Sequence, residues 1–338
     1  MTPSEYARYG FAFLAHAATP SSPRILYIEV TKRCNAFCSF CPYWQDHRRG
    51  ELDDYSPIVR QLRPFCVTFT GGEPLLRREL PSIVAKVTAL QPRPYTAVLT
   101  NGWLLSRERA QALRDAGCEQ ISISLDHVGA RHDERRGLPG LFARLEHDMP
   151  ALRTIGFDRI NLNTIVMRSN LDELVPLAKL AHAWGVTISF SAYSPMKTKS
   201  DDELFRDEDV TRLTDVVAEL RALKLDGHVI TSHYWFDHVV DYFRNGGRVG
   251  ARCTAAGSAF MHVDPWGHMK ICPEFEPFAH WTELDEKRPP AHDCTRCWYG
   301  CRGENEAPLT IGRIGELLFP ASALLQRARN MTREGRAL

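Results

Sequence analysis

The sequence lacks an excess of charge, a long apolar run and the common nucleotide-binding and hydrolase motifs. Its 338 residues include 42 Lys and Arg against 41 Asp and Glu, so neither nucleic acid nor an anionic membrane is expected as a partner. The most apolar N-terminal segment, residues 9–18, is too short to span a bilayer, and no convincing secretory pattern is present. A phosphate loop, a nucleophile elbow and a His-x3-His pair on a clear helix are also missing. We therefore expect a soluble, cytoplasmic globular protein with no transmembrane segment.

Cysteine, by contrast, is abundant, with ten residues in the chain. Cys66 and Cys118 stand alone in apolar surroundings and are predicted to be buried structural thiols. The other eight fall into two tight groups, one near each end of the sequence. Because a large chain without an export signal is expected in a reducing cytosol, these groups favour metal or cluster binding over disulfides.

The first group is Cys34-x3-Cys38-x2-Cys41, directly after the apolar run Ile25–Val30, which predicts a β-strand. A loop that leaves a strand end can turn three thiolates toward one iron–sulfur cluster. A four-iron cubane held by three cysteines keeps one iron without a protein ligand, and that iron can bind a substrate or cofactor. A structural zinc site needs four ligands, commonly on Cys-x2-Cys knuckles, so the three-cysteine run favours a cluster.

Between Ile25 and Ser194, short apolar runs alternate with amphipathic segments. The predicted strands are Ile25–Val30, Cys66–Thr70, Thr96–Thr100, Gln120–Leu125, Ile160–Val166 and Val186–Ser191. The predicted helices include Arg77–Ala89, Ser106–Ala116, Leu141–Ile155 and Asn170–Ala183. This alternation predicts a parallel sheet covered by helices. Six units are too few for a closed eight-unit barrel, so we expect an α/β fold with a partial (β/α)6 TIM-like barrel and an active site at the carboxyl ends of its strands.

The pattern changes after Ser194, where a polar segment and two helices lead to a cysteine-rich region. In that region Ala259–Asp264 and His268–Cys272 flank Pro265-Trp266-Gly267, which predicts a β-hairpin. The expected organisation is an N-terminal helix or extension (1–24), a partial-barrel core (25–195), a helical connection completing the core (196–250), a small C-terminal cysteine-rich cluster-binding domain (251–310) and a C-terminal helix (311–338).

The second predicted strand ends in Gly71-Gly72-Glu73-Pro74. Consecutive glycines let a backbone approach a ligand closely, and the proline ends strand pairing. Together with the Cys-x3-Cys-x2-Cys loop on the preceding strand, this segment resembles the motifs of the radical S-adenosylmethionine (SAM) superfamily. The resemblance covers roughly residues 25–195, and the partial barrel of that family has the same order of elements.

The resemblance implies a [4Fe–4S] cluster on Cys34, Cys38 and Cys41, with the amino and carboxylate groups of SAM on the fourth iron. It implies that one electron, from a donor such as flavodoxin or ferredoxin, cleaves SAM to a 5′-deoxyadenosyl radical that abstracts hydrogen from a substrate. The cofactor then supplies the difficult chemistry, and the protein supplies position and a dry cavity.

The resemblance also implies a set of SAM-binding residues. The segment Gly71 to Pro74 would contact the methionine amino end, Phe40 the adenine, and other strand-end residues the ribose and carboxylate. The full set is Phe40, Gly71, Gly72, Glu73, Pro74, Ser124, Asp126, Arg144, Asn163 and Tyr193. Each residue is also compatible with ordinary strand-end packing, and Tyr193 and Lys197 are equally compatible with a solvated linker.

The second cysteine group comprises Cys253, Cys272, Cys294, Cys297 and Cys301. It resembles the auxiliary-cluster extensions of radical SAM enzymes, the SPASM domain and the shorter twitch domain. Five cysteines are too few for two clusters, so the resemblance implies one auxiliary [4Fe–4S] cluster, and we favour Cys253, Cys272, Cys294 and Cys297 as its ligands. Cys301 is then a spare thiol, a replacement ligand or a hydrogen-atom donor. Zinc remains an alternative, because Cys-x2-Cys with distant cysteines also builds tetrahedral sites.

These features favour a radical SAM oxidoreductase that abstracts hydrogen from a small-molecule substrate, with the auxiliary cluster aiding electron transfer. One alternative is a maturase that modifies a ribosomally made peptide or protein. An alternative of another class is a zinc- or cluster-bearing binding or regulatory protein that uses the barrel as a scaffold. The sequence does not identify the substrate.

Overall fold

The fold is described by a computed structural model that covers residues 22–318. The expected N-terminal helix lies almost entirely outside the described residues, and so does the chain after residue 318. Among residues 22–318, no helix is both long and apolar enough to cross a bilayer.

The strands form one nine-stranded sheet in the order β6-β5-β4-β3-β2-β1-β7-β8-β9. The first seven run parallel and the last two antiparallel. Their bounds are β1 Ile25–Glu29, β2 Cys66–Thr70, β3 Tyr95–Thr100, β4 Gln120–Ser124, β5 Arg159–Val166, β6 Thr187–Ala192, β7 Phe260–Val263, β8 His268–Lys270 and β9 Ala279–His280. The predicted α/β partial barrel of six parallel strands is therefore confirmed, as is the C-terminal hairpin.

Helices connect the parallel strands and cover the outer face of the sheet. Their bounds are α1 Ser56–Leu62, α2 Leu80–Thr88, α3 Arg107–Asp115, α4 Ala130–Arg136, α5 Leu141–Arg153, α6 Leu174–Trp184, α7 Val210–Leu223, α8 His233–Arg244, α9 Gly300–Glu306 and α10 Ile311–Leu318. The sequence reasoning missed α1, α4 and α9. Each has only seven residues, which is too short to establish a clear helical repeat of apolar side chains.

Side chains along the barrel strands alternate between an apolar outer face and a polar lumen. In β4, Ile121 and Ile123 are buried beneath the helices, whereas Ser122 and Ser124 line an internal cavity. The same period of two puts Asn161 and Asn163 of β5 in the lumen. Strands β4 and β5 thus contribute hydroxyl and amide side chains to the interior of the barrel.

Strand β7 continues the barrel sheet past β1. It pairs with β1 in parallel, and Tyr27 lies opposite His262 in this register. The hairpin of the cysteine-rich region is consequently part of the barrel sheet, and it closes one edge of the barrel. The proposed boundaries of the C-terminal unit stay a prediction.

The Gly71-Gly72 turn packs directly against the backbone that leads into the first cysteine group. The Gly72 amide donates to the Thr31 carbonyl at 2.7 Å, and the Glu73 amide donates to the Arg33 carbonyl at 2.8 Å. Gly71 has φ of +146°, and a Cβ added to Gly72 would lie 2.1 Å from the Arg33 carbonyl oxygen. Both positions therefore require glycine.

Replacement of Gly72 by alanine is expected to destabilise the fold by about 2–4 kcal/mol, because backbone must move to admit the new Cβ. Urea unfolding of the full chain measures this change. Gly250→Ala is the matched control, since an added Cβ there meets nothing within 4 Å. Equal stability of the two variants would contradict the close approach described here.

Candidate active site

One cavity of about 850 Å³ runs through the barrel and collects most of the predicted functional residues. Cys34, Cys38 and Cys41 line it near the carboxyl ends of the strands. Cys301, from the second cysteine group, lines the same cavity. The first cysteine group and Cys301 of the second therefore face a common space.

Hydrogen bonds from neighbouring elements fix the first cysteine loop. The Phe37 amide donates to the Arg136 carbonyl at 2.8 Å, and the Asn101 side-chain amide donates to Asn35 Oδ1 at 2.9 Å. Burial raises the pKa of Cys34 to about 12, and Glu73 and the nearby thiols of Cys38 and Cys41 add to this effect. Thiols so close together ionise readily only when a positive charge such as bound iron compensates them.

Glu73 is completely buried, and its carboxylate is occupied by the protein itself. It accepts hydrogen bonds from the Leu75 amide at 3.0 Å, the Thr100 hydroxyl at 2.6 Å and the Asn101 amide at 2.7 Å. The carboxylate does not line the cavity. Glu73 thus ties the glycine turn to the end of β3, and its contact with SAM stays a prediction.

Asp126 and Arg136 form a buried ion pair behind the first cysteine loop. Burial alone would raise the pKa of Asp126, but the charges of Arg136 and His132 outweigh it and hold that pKa below its usual range. Arg136 lines the cavity, whereas Asp126 does not. The sequence reasoning missed Arg136, which Asp126 holds in position. A contact between Asp126 and SAM stays a prediction.

The remaining predicted SAM-binding residues divide into two sets. Six line the cavity, namely Phe40, Gly71, Gly72, Ser124, Asn163 and Tyr193. Pro74 is buried away from it, where it begins a short turn. Arg144 lies on α5, faces Asp148 at 3.6 Å and covers the Trp103 ring. Arg144 is not among the residues that line the cavity, and its role as a carboxylate partner stays a prediction.

The second cysteine group is assembled from three segments. The Cys253 amide donates to the Cys294 carbonyl at 2.8 Å. Burial raises the pKa of Cys301 well above its ordinary value, and the thiols of Cys272, Cys297 and Cys253 add to this effect. Cys301 is therefore within electrostatic reach of three members of the group.

Arg302 holds these segments together from a fully buried position. Its guanidinium donates to the Cys297 carbonyl at 3.1 Å and to the Ala251 carbonyl at 2.7 Å, and it pairs with Glu306 at 2.9 Å. The sequence offered no local signal for the contact with Ala251, because the two residues are 51 positions apart along the chain.

Over the part of the chain that the structure describes, no three His, Cys, Asp or Glu side chains lie close enough to hold a single metal ion. Zinc–sulfur bonds of about 2.3 Å would bring tetrahedral thiolates to about 3.8 Å from one another. A cubane distributes its thiolates over different irons and so needs a wider spacing.

A polar wall made of Glu29, Tyr43, Lys197 and His262 lies between the two cysteine groups. Most of these residues were not predicted. Glu29 is buried, pairs with Lys32 and accepts a hydrogen bond from the Tyr43 hydroxyl at 2.8 Å. Lys197 lies over the Tyr43 ring at 4.6 Å. His262 also lines the cavity, and the signal for it was its alternate position along the predicted hairpin strand.

Comparison with known proteins decides the family. Residues 28–181 match the family model described as the radical SAM superfamily. The chain belongs to the radical SAM superfamily. The match spans the barrel from β1 to α6 and includes both the first cysteine group and the Gly71–Pro74 segment.

Sequence relatives and solved structures agree with this assignment. A GTP 3′,8-cyclase of Xanthomonas axonopodis pv. citri (strain 306) is 35% identical over 181 residues, which are 49% of this chain and 54% of that protein. The chain thus spans about half the length of the curated relatives it matches. Streptococcus suis SuiB, solved with its precursor peptide SuiA, aligns over 82% of this chain and 65% of its own, with 15% identity and a TM-score of 0.59.

A second solved structure, native anSMEcpe with bound AdoMet, aligns over 91% of this chain and 100% of its own. Its identity is 17% and its TM-score is 0.59. At such identities the two structural matches show the fold alone. They support the partial barrel followed by a cysteine-rich region with antiparallel strands.

Radical SAM enzymes use a [4Fe–4S] cluster and SAM, and the residues around the first cysteine group fit both. Three thiols face one cavity, the glycine turn presents backbone to it, and the buried Arg136 offers a positive charge. One nitrogen of that arginine, Nε, has no hydrogen-bond partner within residues 22–318. The site therefore holds space, thiols and a cation for an anionic cofactor group.

His132, next to this site, is expected to make stability depend on pH. Burial first, and then the charge of Arg136, lower its pKa to about 3. The folded protein thus binds fewer protons than the unfolded chain between about pH 3 and the ordinary histidine value of about 6.5, so stability falls as pH falls through this window.

His132→Asn keeps an acceptor for the Asp126 amide, which donates to His132 Nδ1 at 3.3 Å, but removes the titrating group. Urea unfolding between about pH 7 and 4.5 should therefore show a shallower loss of stability, by on the order of 2 kcal/mol. The exposed His147→Asn is the matched control. An unchanged slope in His132→Asn would refute the assignment.

Proposed function

We propose that this chain is a radical SAM oxidoreductase that removes a hydrogen atom from a small polar molecule bound in the barrel lumen. The observation that carries the proposal is the cavity lined both by the three thiols of the first cysteine group and by Cys301 of the second. Cys34, Cys38 and Cys41 would hold the [4Fe–4S] cluster. When bound, the cluster and SAM would supply a 5′-deoxyadenosyl radical through one-electron cleavage of SAM.

The chain's own residues would position SAM. The Gly71-Gly72 backbone would lie beside the methionine amino end, and Phe40 beside the adenine. Ser124 and Asn163 would meet the ribose, and Tyr193 borders the same space. Arg136 takes the place of Arg144 as the carboxylate partner, because its guanidinium lines the cavity and is fixed by Asp126.

We further propose that residues 251–310 form a twitch-like unit with one auxiliary [4Fe–4S] cluster. Cys253, Cys272 and Cys297 would be three of its ligands. Either Cys294 or Cys301 would be the fourth, and the position of Cys301 on the cavity wall makes it the ligand nearest to a substrate. A cluster there would accept an electron during a two-electron oxidation or bind the substrate through an open iron.

The lumen favours a small substrate over a long peptide. It lies inside the barrel and is lined by short hydroxyl and amide side chains, including Thr68, Ser122, Asn161 and Ser189. One relative is named for a reaction of GTP, a small molecule, while SuiB was solved with a peptide. A one-electron donor such as flavodoxin or ferredoxin and a reducing cytoplasmic setting complete the proposal, in keeping with ten free cysteines.

Anaerobic reconstitution tests the first site. The wild-type chain should bind about eight irons and release 5′-deoxyadenosine from SAM when dithionite is added. Replacing Cys34, Cys38 and Cys41 together by alanine should remove about four irons and all SAM cleavage. Cys66→Ala, which removes a lone thiol, is the control and should keep both. Continued 5′-deoxyadenosine release by the triple variant, or zinc in place of iron, would refute the proposal.

Replacement of Cys253 and Cys272 together tests the auxiliary cluster. Iron content should fall from about eight to about four, while dithionite-dependent SAM cleavage persists, because the first cysteine group stays intact. Single Cys294→Ala and Cys301→Ala variants identify the fourth ligand, since only the ligand's loss should change the low-temperature electron paramagnetic resonance signal of the reduced second cluster. Unchanged iron in the double variant would contradict an auxiliary cluster.

A further inference from the structure

His262 is a buried polar side chain whose hydrogen-bonding groups are unused. It is 7% exposed and lines the cavity. Neither ring nitrogen has a hydrogen-bond partner within residues 22–318. Buried polar groups are nearly always paired, so an unpaired imidazole on a cavity wall indicates a missing ligand.

The ring of His262 is nevertheless held firmly in place. It stacks on Tyr27 with ring centroids 4.6 Å apart and planes inclined by 12°, and Phe260 meets its edge at 6.1 Å. Burial lowers the pKa of His262 to about 3, so the imidazole is neutral and offers one donor and one acceptor. A fixed, neutral ring of this kind is suited to hold a ligand hydroxyl or oxyanion.

Lys197 brings a positive charge to the same part of the wall. It lines the cavity, and it makes no ion pair or hydrogen bond to other residues between 22 and 318. Its ammonium group is within electrostatic reach of Cys41 in the first cysteine group, of Cys272 in the second, and of the carboxylates of Glu274 and Glu29. It is also near enough to lower the pKa of His262.

The charges around His262 leave this wall positive. Lys32 is paired with Glu29, and Glu274 accepts a hydrogen bond from a tyrosine hydroxyl at 2.9 Å. Lys270 donates a hydrogen bond to a backbone carbonyl at 2.9 Å, and this neutral acceptor leaves the positive charge of Lys270 uncompensated. Lys197 and Lys270 therefore outnumber the one carboxylate, Glu274, that lacks a cationic partner within the described part of the chain.

We propose that His262 and Lys197 form an oxyanion-binding subsite that holds a phosphate or carboxylate group of the substrate between the two cysteine groups. Lys197 would donate to the oxyanion, and His262 would bond the same group or an adjacent hydroxyl. The inference rests on the proposed function, which places the substrate in this cavity. It narrows the substrate class to polar molecules that carry an oxyanion.

Binding of inorganic phosphate and of acetate to the reconstituted full chain tests the subsite. Binding of phosphate is measured by line broadening of its phosphorus resonance, and binding of acetate by line broadening of its methyl proton resonance. Lys197→Met and His262→Phe, which keeps the aromatic stack on Tyr27, should each weaken the preferred anion at least about tenfold. Tighter phosphate binding indicates a phosphorylated substrate, and tighter acetate binding indicates a carboxylate.

Lys224→Met is the matched control, because Lys224 lines the same cavity but faces Glu316 at 3.7 Å. It should bind the anion as the wild type does. The subsite is refuted if neither anion binds the wild type, if Lys197→Met or His262→Phe binds the anion as tightly as the wild type, or if the control loses as much affinity as these variants. Failure of the proposed function would instead appear as a lack of 5′-deoxyadenosine release from SAM. The anion-binding measurement does not depend on that release, so the two failures are distinguishable.

Discussion

The close backbone contact between Gly71-Gly72 and residues 31–33 is the constraint on which the geometry of the site depends. It brings the start of the first cysteine loop against the end of β2 without any intervening side chain. Glu73 extends this connection to β3 through Thr100 and Asn101. Hydrogen bonds across three strand ends, more than apolar packing, therefore fix where the thiols of this loop lie.

Each cysteine group is accompanied by one buried arginine that is paired with a carboxylate. Arg136 pairs with Asp126 beside the first group, and Arg302 pairs with Glu306 beside the second. Burying a charge is costly unless it is paired and hydrogen-bonded, so each arginine stays in place only because its carboxylate does. The positive charge of each arginine favours the ionised form of the neighbouring cysteines, and the thiolate is the form that binds iron.

The sequence was sufficient to predict the six barrel strands, because their apolar runs and spacing are local features. The three-cysteine loop and the glycine turn were recognisable for the same reason. Arg136 and His262 were not predicted, because one lies on a seven-residue helix and the other depends on pairing between strands about 235 residues apart. The position of Arg144 outside the cavity was not predictable, because a helix sequence does not reveal which of its polar faces meets a neighbouring strand.

The parallel pairing of β1 with β7 has a consequence for how the protein forms. The first strand of the barrel acquires its second neighbour only when residues 260–263 are available. Contacts this distant in sequence are slow to form, and an unpaired strand edge is prone to wrong association meanwhile. During synthesis, the thiols of the first group would thus emerge well before the part of the barrel wall that β7 supplies.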